Sequence, residues 1–336
     1  MLRITTFISA GILLGSNIPD VATAQESSVQ LYGILDVVVG SFKPSGTSGS
    51  SQALLSGGQT TSYYGFRGTE DLGGGLHANF AIEGYLLTNT GQSGRFAGDN
   101  TYSRNTYVGL SGLWGEFRAG RLINPLYFIT ARSNPIGGST RFSPLMVQIW
   151  IADFGRAVTG DTSWDSAVSY ESPSILGAKL TLQYGIPGTG SHDALAAIVY
   201  DQGPLYASAA AQRTGYGPGI TTAITHQNAY FLGGTYRFEY VSLSASFDHT
   251  LAYPVGVSTN TWQAGFAIPI GTSSVAVSWA RTDLSAAAGD RHRDTAGLTY
   301  DYLLSKRTDT YVSYLYDKLS TAGTGNSFGV GLRHRF

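Results

Sequence analysis

Val241–Asp248 reads VSLSASFD, a run in which apolar and polar side chains alternate at every residue. Successive side chains of a β-strand point to opposite faces, so this run predicts a strand with one apolar and one polar face. Leu76–Leu86, Ala178–Gly185 and Val275–Trp279 alternate in the same way. Helical spacing is rare, and Asp193–Tyr200 (DALAAIVY) fits either a helix or a strand. The chain is therefore predicted to be all-β.

The segments between the predicted strands alternate between short turns and long loops. The short turns are Asp71–Gly75, Gly112–Gly115, Pro173–Gly177, Gln202–Pro204, Glu239–Tyr240, Pro269–Thr272 and the turn near Ser305. The long loops are Lys43–Gln59, Thr88–Asn100, Leu122–Thr162, Pro187–His192, Gly215–His226, Ala252–Val257, Leu284–Arg291 and Leu319–Asn326. Strands of about ten residues with this arrangement are typical of an outer-membrane barrel. We expect a transmembrane antiparallel β-barrel of sixteen strands, closed because an open edge in lipid leaves peptide groups unpaired.

A soluble secreted β-sandwich or β-helix would also show alternation. A sandwich of this length normally divides into two or three domains, yet no linker or change of composition follows residue 24. No repeat of fixed period is visible, which argues against a propeller or solenoid. Aromatic residues near the predicted strand ends match the girdles of a membrane barrel, although ordinary β-propensity accounts for about half of them.

The first 24 residues have the features of a secretory signal peptide. Arg3 supplies the positive charge, Ile4–Leu14 is apolar, and Ala22-Thr23-Ala24 is a small-residue cleavage site. The apolar run is too short to span a membrane, which needs about 20 residues. A short buried helix is the alternative. We expect residues 1–24 to be removed and residues 25–336 to form one barrel domain.

The composition excludes several kinds of chemistry. Lys and Arg number 21 and Asp and Glu 22, so the net charge is −1 and no basic footprint for nucleic acid exists. The chain has no cysteine, hence no disulfide and no thiolate nucleophile. It has no P-loop, no His-Glu-x-x-His motif and no Gly-x-Ser-x-Gly motif. We predict no catalytic residue, no metal site, no cofactor and no enzymatic activity, although a Ser-His-Asp site formed across strands stays open.

Six segments carry the motifs of one known family, in order from residue 28 to the C-terminus. They are Ser28–Gly33 with Asp36, Gly65–Leu76, Val108–Gly112 with Gly120-Arg121, Val168–Pro173, Tyr300–Thr308 and Gly331–Phe336. Together they resemble the general porins of Gram-negative bacteria, the β-proteobacterial branch in particular.

The resemblance implies a multi-pass barrel in the outer membrane that forms a homotrimer. It implies passive diffusion of ions and small hydrophilic solutes past a third loop folded into the lumen. The implied partners are outer-membrane lipid, lipopolysaccharide and the barrel assembly machinery. Phe336 resembles the family's assembly signal, and it also ends an apolar row that starts at Phe328.

Leu122–Thr162, the longest connection, is the expected constriction loop. Its segment Ala152–Arg156 resembles the acidic-Phe-Gly-Gly tip of the family's loop, with Asp153 as the acid and Arg156 in place of the second glycine. In the family, arginines on the barrel wall face that acid, and opposed charges of this kind set the ion preference of a pore.

The wall residues depart in part from the family pattern. Tyr63 and Ser163 stand where the family has arginines, whereas Arg121 is kept. Alternation turns four further charged side chains toward the lumen, namely Arg67, Arg104, Glu116 and Arg118. We therefore expect all seven of these residues at the constriction.

The same loop is unusually apolar, with Phe142, Met146, Ile149, Trp150 and Ile151. These side chains either form an eyelet for less polar or aromatic solutes or pack the loop against the wall, and we favour packing. The leading hypothesis is a diffusion porin. A substrate-selective channel for organic or aromatic solutes is the alternative, and a barrel hydrolase or an adhesin is less favoured.

Overall fold

The computed structural model describes residues 28–151, 161–186, 192–215 and 224–336. The predicted signal peptide lies outside the described residues. The strands are β1 (Ser28–Phe42), β2 (Ser51–Ser56), β3 (Tyr63–Gly73), β4 (Leu76–Leu87), β5 (Gln92–Ser93), β6 (Thr106–Gly112), β7 (Gly115–Ile123), β8 (Ser163–Glu171), β9 (Ala178–Gly185), β10 (Asp193–Gln202), β11 (Leu205–Thr214), β12 (His226–Arg237), β13 (Ser242–Tyr253), β14 (Val257–Ile270), β15 (Ser273–Ser285), β16 (Arg291–Leu303), β17 (Thr308–Leu319) and β18 (Thr324–Arg335). The helices are α1 (Pro125–Arg132) and α2 (Pro144–Trp150). Among the described residues, no helix is long and apolar enough to cross a membrane.

Sixteen of these strands form one closed antiparallel barrel, as predicted. The two short strands β2 and β5 lie in the first two long loops, which we name L1 (residues 43–62) and L2 (residues 88–105). Every barrel strand pairs with its neighbours in sequence, and β1 pairs with β18 to close the ring. The connections at one end of the barrel have two to six residues, and the three longest loops, residues 43–62, 88–105 and 124–162, lie at the other end. Two connections predicted to be long loops at that end, within Ala252–Val257 and Leu319–Asn326, are turns of three and four residues, 254–256 and 320–323.

The C-terminal residue completes the closure between β1 and β18. The ladder runs from Ser41 opposite Phe328 to Ile34 opposite Arg335. Gly33 and Phe336 then exchange two backbone hydrogen bonds of 3.2 and 3.1 Å. Since a peptide group in lipid has no water to bond, these two pairs leave the last residue of the sheet satisfied.

Alternation determines which side chains face lipid and which face the lumen. On β13, Leu243 is exposed on the outer face, whereas Ser244 and Asp248 are buried on the lumen side. Asp193–Tyr200, which the sequence left ambiguous, belongs to strand β10. Its lumen-facing Leu195 is buried in a cluster with residues of α1, so this strand is apolar on both faces and loses the usual pattern.

The third long loop, L3 (residues 124–162), enters the barrel, and its segment 152–160 lies outside the described residues. Its helix α1 packs against β10, β11 and β12, and α2 packs against β14, β15 and β16. Each helix has proline at its first position, preceded by Asn124 or Ser143. Proline fits there because the first N–H of a helix has no intrahelical partner.

A row of glycines on the wall makes room for L3. Gly233, Gly265, Gly297 and Gly329 lie on β12, β14, β16 and β18, each 32 residues after the one before (265 − 233, 297 − 265 and 329 − 297). We name these four residues the glycine row. The expectation of no fixed period is therefore wrong for these four glycines, which repeat every 32 residues.

A methyl group at any member of the glycine row would collide with a neighbour. It would lie 2.5 Å from Ser133 Oγ at Gly233 and 2.8 Å from Pro135 Cγ at Gly265. At Gly329 it would lie 2.5 Å from Val38 Cγ2 and 3.1 Å from the Phe142 ring. The loop therefore contacts the backbone of the wall, which side chains cover elsewhere.

We predict that Gly297→Val displaces L3 while the barrel still closes. The added Cβ would lie 2.7 Å from the Phe142 carbonyl oxygen and 2.9 Å from Pro144 Cδ, and overpacking of this kind costs about 1–3 kcal/mol. Single-channel recordings should show noisier and larger currents than the wild type. Gly49→Val is the matched control, because nothing lies within 4 Å of its added Cβ. Currents equal to those of the control would contradict the prediction.

Candidate pore constriction

Asn124 attaches the start of L3 to the barrel wall. Its Oδ1 accepts a hydrogen bond from Leu126 N at 2.9 Å and so caps α1. Its Nδ2 donates to Gln212 Oε1 on β11 at 2.8 Å. Asn124 is fully buried, and a single buried amide thus both starts the helix and fixes it to the wall.

The side of L3 that faces L1 is held through a buried carboxylate. Asp36 on β1 accepts hydrogen bonds from Gly58 N at 3.1 Å and from Gln59 N and Thr60 N at 2.9 and 2.7 Å. Tyr311 OH donates to the same carboxylate at 2.5 Å. These bonds fix the inner part of L1, whose carbonyl at Gly58 accepts from Ser139 Oγ of L3 at 2.6 Å.

The apolar side chains of L3 pack against the wall, which is the interpretation that the sequence analysis favoured. Met146, Ile149 and Trp150 are buried in one cluster with wall residues, and Phe142 is buried in a second cluster with Val38 of β1. Gln148 lies among them with its Nε2 donating to Arg293 O at 2.9 Å and to Thr295 Oγ1 at 3.2 Å. They fill the space between loop and barrel instead of lining an eyelet.

The C-terminal end of L3 is tied to L2 by an ion-pair network. Arg95 of L2 contacts Asp99 at 2.8 Å and Asp161 at 2.5 Å. Burial alone would raise the pKa of Asp99, but the hydrogen bonds from Arg95 outweigh it and lower that pKa to about 2. Arg95 and Arg121 lower the pKa of Asp161 against the same effect of burial. We name Arg95, Asp99, Asp161 and Arg121 the L2–L3 junction.

Arg121 belongs to this junction and points away from the lumen. The register of β6 and β7 puts it on the face that carries Ala119 and Phe117, which is the outer face. Its guanidinium donates to Ser103 O at 2.8 Å and to Asp161 and Asp165 at 2.6 Å each. The structure therefore places Arg121 apart from the lumen-facing arginines.

Arg104 and Tyr63 do come together on the lumen wall. The Arg104 guanidinium carbon lies 3.9 Å from the centroid of the Tyr63 ring. Arg104 also pairs with Glu83, which accepts a further hydrogen bond from Tyr32 OH. Tyr63 thus supplies an aromatic face for the Arg104 guanidinium, and the Glu83 carboxylate offsets the charge of Arg104.

Arg67 is a lumen arginine with a neutral partner. It is exposed on β3, and its Nη2 and Nε donate to Gln30 Oε1 at 2.8 and 3.0 Å. Its guanidinium carbon lies 4.6 Å from the Tyr32 ring centroid. Among the described carboxylates, none forms an ion pair with Arg67, so its charge acts on the lumen.

Arg118 and Glu116 form an ion pair along β7. The two residues are two positions apart and therefore lie on one face of the same strand. Ser163 opens β8 with a buried side chain and contributes no charge. The remaining predicted residues, Asp153 and Arg156, lie outside the described residues.

The comparisons with known proteins agree with this architecture. A family model described as Gram-negative porin matches residues 13–322. The chain belongs to the Gram-negative porin family. Outer membrane porin protein 32 of Delftia acidovorans is 32% identical over 318 residues, which cover 90% of this chain and 87% of that protein.

Solved structures give the same result. The anion-selective porin from Comamonas acidovorans superposes with a TM-score of 0.77 at 26% identity, covering 93% of this chain and all of that one. The trimer form of OmpT from Vibrio cholerae matches with a TM-score of 0.72 at 15% identity, covering 93% of this chain and all of that one. The chain is therefore an outer-membrane porin, a channel of the Gram-negative cell envelope.

This porin has further lumen ion pairs that the sequence analysis did not single out. Arg132 of α1 contacts Asp201 at 2.7 Å, and Lys179 contacts Glu171 at 2.8 Å. In each pair the two residues lie on different elements, α1 and β10 for the first and β8 and β9 for the second. Alternation along a strand can show that a side chain faces the lumen, but it cannot show which charged side chain it contacts. Within the described residues no group of His, Asp or Glu has an arrangement that could hold a metal ion.

We predict that the ion pairs of the L2–L3 junction break only at a pH well below the ordinary pKa of a carboxylate. A carboxyl with a lowered folded pKa stabilises the fold above its unfolded pKa of about 3.9, and that stabilisation is lost as pH falls through the folded value. Channel noise should stay constant from about pH 8 to about pH 5 and rise only as pH approaches about 2.

Asp161→Asn should reproduce that noise at neutral pH, since an amide keeps the shape and removes the charge. Asp290→Asn in an exposed loop is the matched control. A quiet Asp161→Asn channel would show that the junction does not hold L3.

Proposed function

We propose that this porin works as a homotrimer that conducts ions and small hydrophilic solutes with a weak preference for anions. The observation that carries the preference is Arg67, an exposed lumen cation bonded to a neutral amide. A fixed charge in a pore attracts ions of the opposite sign and repels those of its own.

The other described lumen charges mostly offset one another. The pairs are Arg104 with Glu83, Arg118 with Glu116, Lys179 with Glu171, Arg132 with Asp201, and Arg293 with Asp317. Asp36 is buried, and its carboxylate is occupied by four donors. Arg141 of L3 is a second cation without an ion pair among the described carboxylates, and it donates to Gly57 O at 3.3 Å. Together with Arg67 it supports a weak preference for anions, not a strong one.

The similarity to an anion-selective porin from Comamonas acidovorans supports the same sign of selectivity. The substitutions at Tyr63 and Ser163 support a smaller magnitude, because two wall positions that carry arginine in the family are uncharged in this chain. Asp153 and Arg156, which lie outside the described residues, would add one charge of each sign and leave this balance unchanged.

The outer face of the first strands supports a trimer. A cavity of about 620 Å³ is lined mostly by apolar and small residues of β1, β3, β4, β6 and β7, with Val29, Val108 and Phe117 among them and Glu70 as the one charged residue of the lining. Val29 and Val108 are each about two-thirds exposed. We propose that neighbouring subunits pack here, as the trimer form of OmpT shows that a barrel of this fold can assemble.

We predict that Arg67→Gln shifts the reversal potential in a salt gradient toward cations. Removing one charge interaction of about 1 kcal/mol in water changes the anion-to-cation permeability ratio by up to about fivefold. The measurement is current through a planar bilayer containing purified residues 25–336, and a trimer should close in three equal steps.

Lys306→Gln in a short turn is the control, since it removes one exposed cation far from the lumen. An Arg67→Gln channel with the wild-type reversal potential would remove Arg67 from the ion path. A single closing step would contradict the trimer.

We propose that the envelope machinery handles both ends of the chain. Residues 1–24 would direct export and be removed, and Phe336 would be read by the barrel assembly machinery. Lipid and lipopolysaccharide would cover the outer face where subunits do not. Phe336 also forms two backbone bonds with Gly33, so the side chain and the backbone need separate tests.

We predict that Phe336→Ala lowers the level of assembled porin in the outer membrane, by about tenfold relative to wild type if the ring is the main contact of the machinery. Refolding of the purified variant into detergent should be unchanged, because alanine keeps the two backbone bonds. Heat-modifiability in gels measures both the level of assembled porin in outer membranes from cells and the yield of refolding of the purified variant in vitro. Equal loss in both assays would mean that Phe336 acts only by closing the sheet.

We propose no enzymatic activity, in keeping with a family of channels. A barrel hydrolase needs a histidine bonded to a nucleophile and a carboxylate. Within the described residues, the histidine rings bond to Tyr184, Thr225, Asn260 and Thr308, and His77 lies 3.9 Å from Asp71. None of these contacts joins a histidine ring to a serine.

A further inference from the structure

A cavity of about 300 Å³ lies in the lumen on the short-turn side of α1. It is enclosed by α1 and by the lumen faces of β7, β8, β9, β10 and β11. Short turns are periplasmic in barrels of this class, so a solute reaches this cavity after it has passed L3. The volume is at the lower end of the range for small-molecule sites, about 300–1,000 Å³.

One side of the cavity is apolar. Leu122, Pro125, Ile129 and Val199 form this side with Phe128, whose ring is 45% exposed. Leu126 and Ile129 on the same helix are buried against the wall, so burial of α1 does not require a phenylalanine at 128. An aromatic ring presented to water inside a pore offers a stacking and desolvation surface for a passing solute.

Another part of the cavity lining is basic. Arg118, Arg132 and Lys179 line it with Glu171, three cations against one carboxylate. Two of the carboxylates that pair with these cations, Glu116 and Asp201, lie outside the lining.

The basic side chains can exchange their present partners for a solute. Arg132 and Lys179 are about half exposed, and exposed ion pairs contribute only about 0–1 kcal/mol. A carboxylate of a solute can therefore replace Asp201 or Glu171 at little cost. The Arg132 guanidinium carbon lies 4.4 Å from the Tyr206 ring centroid, which keeps that cation at the cavity while its partner changes.

We propose that this cavity is a binding site for small amphiphilic carboxylates, namely an aromatic ring that carries one carboxylate. The ring would contact Phe128 and the apolar side, and the carboxylate would bind Lys179 and Arg132. This deepens the proposed function, on which it rests for a conducting lumen, and it makes the channel selective among organic anions. The site must be weak, because a channel has to release what it binds.

The test uses benzoate as the probe on wild-type channels in a planar bilayer. Benzoate should interrupt the potassium chloride current in a saturable manner, with half-saturation at about millimolar concentration. Acetate has the charge without the ring and benzyl alcohol the ring without the charge, so neither should produce interruptions at the same concentration. Linear dependence on benzoate concentration without saturation would overturn the site.

Two variants assign the effect to the cavity. Phe128→Ser should weaken the apparent benzoate affinity about fivefold, as expected for loss of part of a buried aromatic contact. Lys179→Gln should also weaken the apparent benzoate affinity, because it removes one of the cations that would bind the carboxylate. The control is Phe238→Ser, which removes a ring of similar exposure, 53% against 45%, from a short turn.

The outcomes separate this inference from the proposed function. Normal chloride conductance without benzoate interruptions overturns the inference and leaves the porin function intact. Absence of conductance in folded wild-type protein overturns the proposed function itself. An equal effect of Phe128→Ser and Phe238→Ser also overturns the cavity as the site.

Discussion

The hydrocarbon of a membrane offers no hydrogen-bond partner to a peptide group, and this constraint governs the rest of the structure. It requires the sheet to close on itself, which β1 and β18 achieve down to the last residue, where Gly33 and Phe336 bond. Closure fixes the lumen as the only place where irregular backbone can be buried in protein. L3, with its two helices separated by irregular segments, lies there.

Packing a loop inside a barrel creates a second requirement, because the wall residues in contact with the loop must have small side chains or none. The glycine row meets it along β12 to β18, and small or apolar residues such as Ala197 and Ala210 meet it under α1. Several of the polar side chains of L3 bond outside the loop, to Gln212, to the L1 carbonyl at Gly58 and to Arg95 in the L2–L3 junction. The constriction is thus fixed to three different parts of the barrel.

Period-two alternation predicted the barrel, because each strand has lipid on one side and water on the other. It did not decide whether Asp193–Tyr200 is a helix or a strand. On β10 the lumen side contacts α1 instead of water, so the residues on both faces of the strand are apolar. The same alternation, counted along β7 from the lumen-facing Arg118, puts Arg121 on the outer face, whereas the family resemblance assigned it to the constriction. Partner choice, as between Arg132 and Asp201, depends on where α1 lies, and strand alternation carries no information about that. The two helices of L3 left a usable signal in Asn124-Pro125 and Ser143-Pro144.

The glycine row has a consequence for how such channels diversify. Its members present only main-chain atoms to L3, and main-chain atoms are the same whatever the surrounding sequence becomes. The wall is therefore a generic platform, and a different third loop of similar thickness can be accommodated on it without compensating changes in the barrel strands. L3 can therefore be exchanged while the barrel strands stay the same, which makes L3 the natural unit for transferring new permeation properties to this barrel.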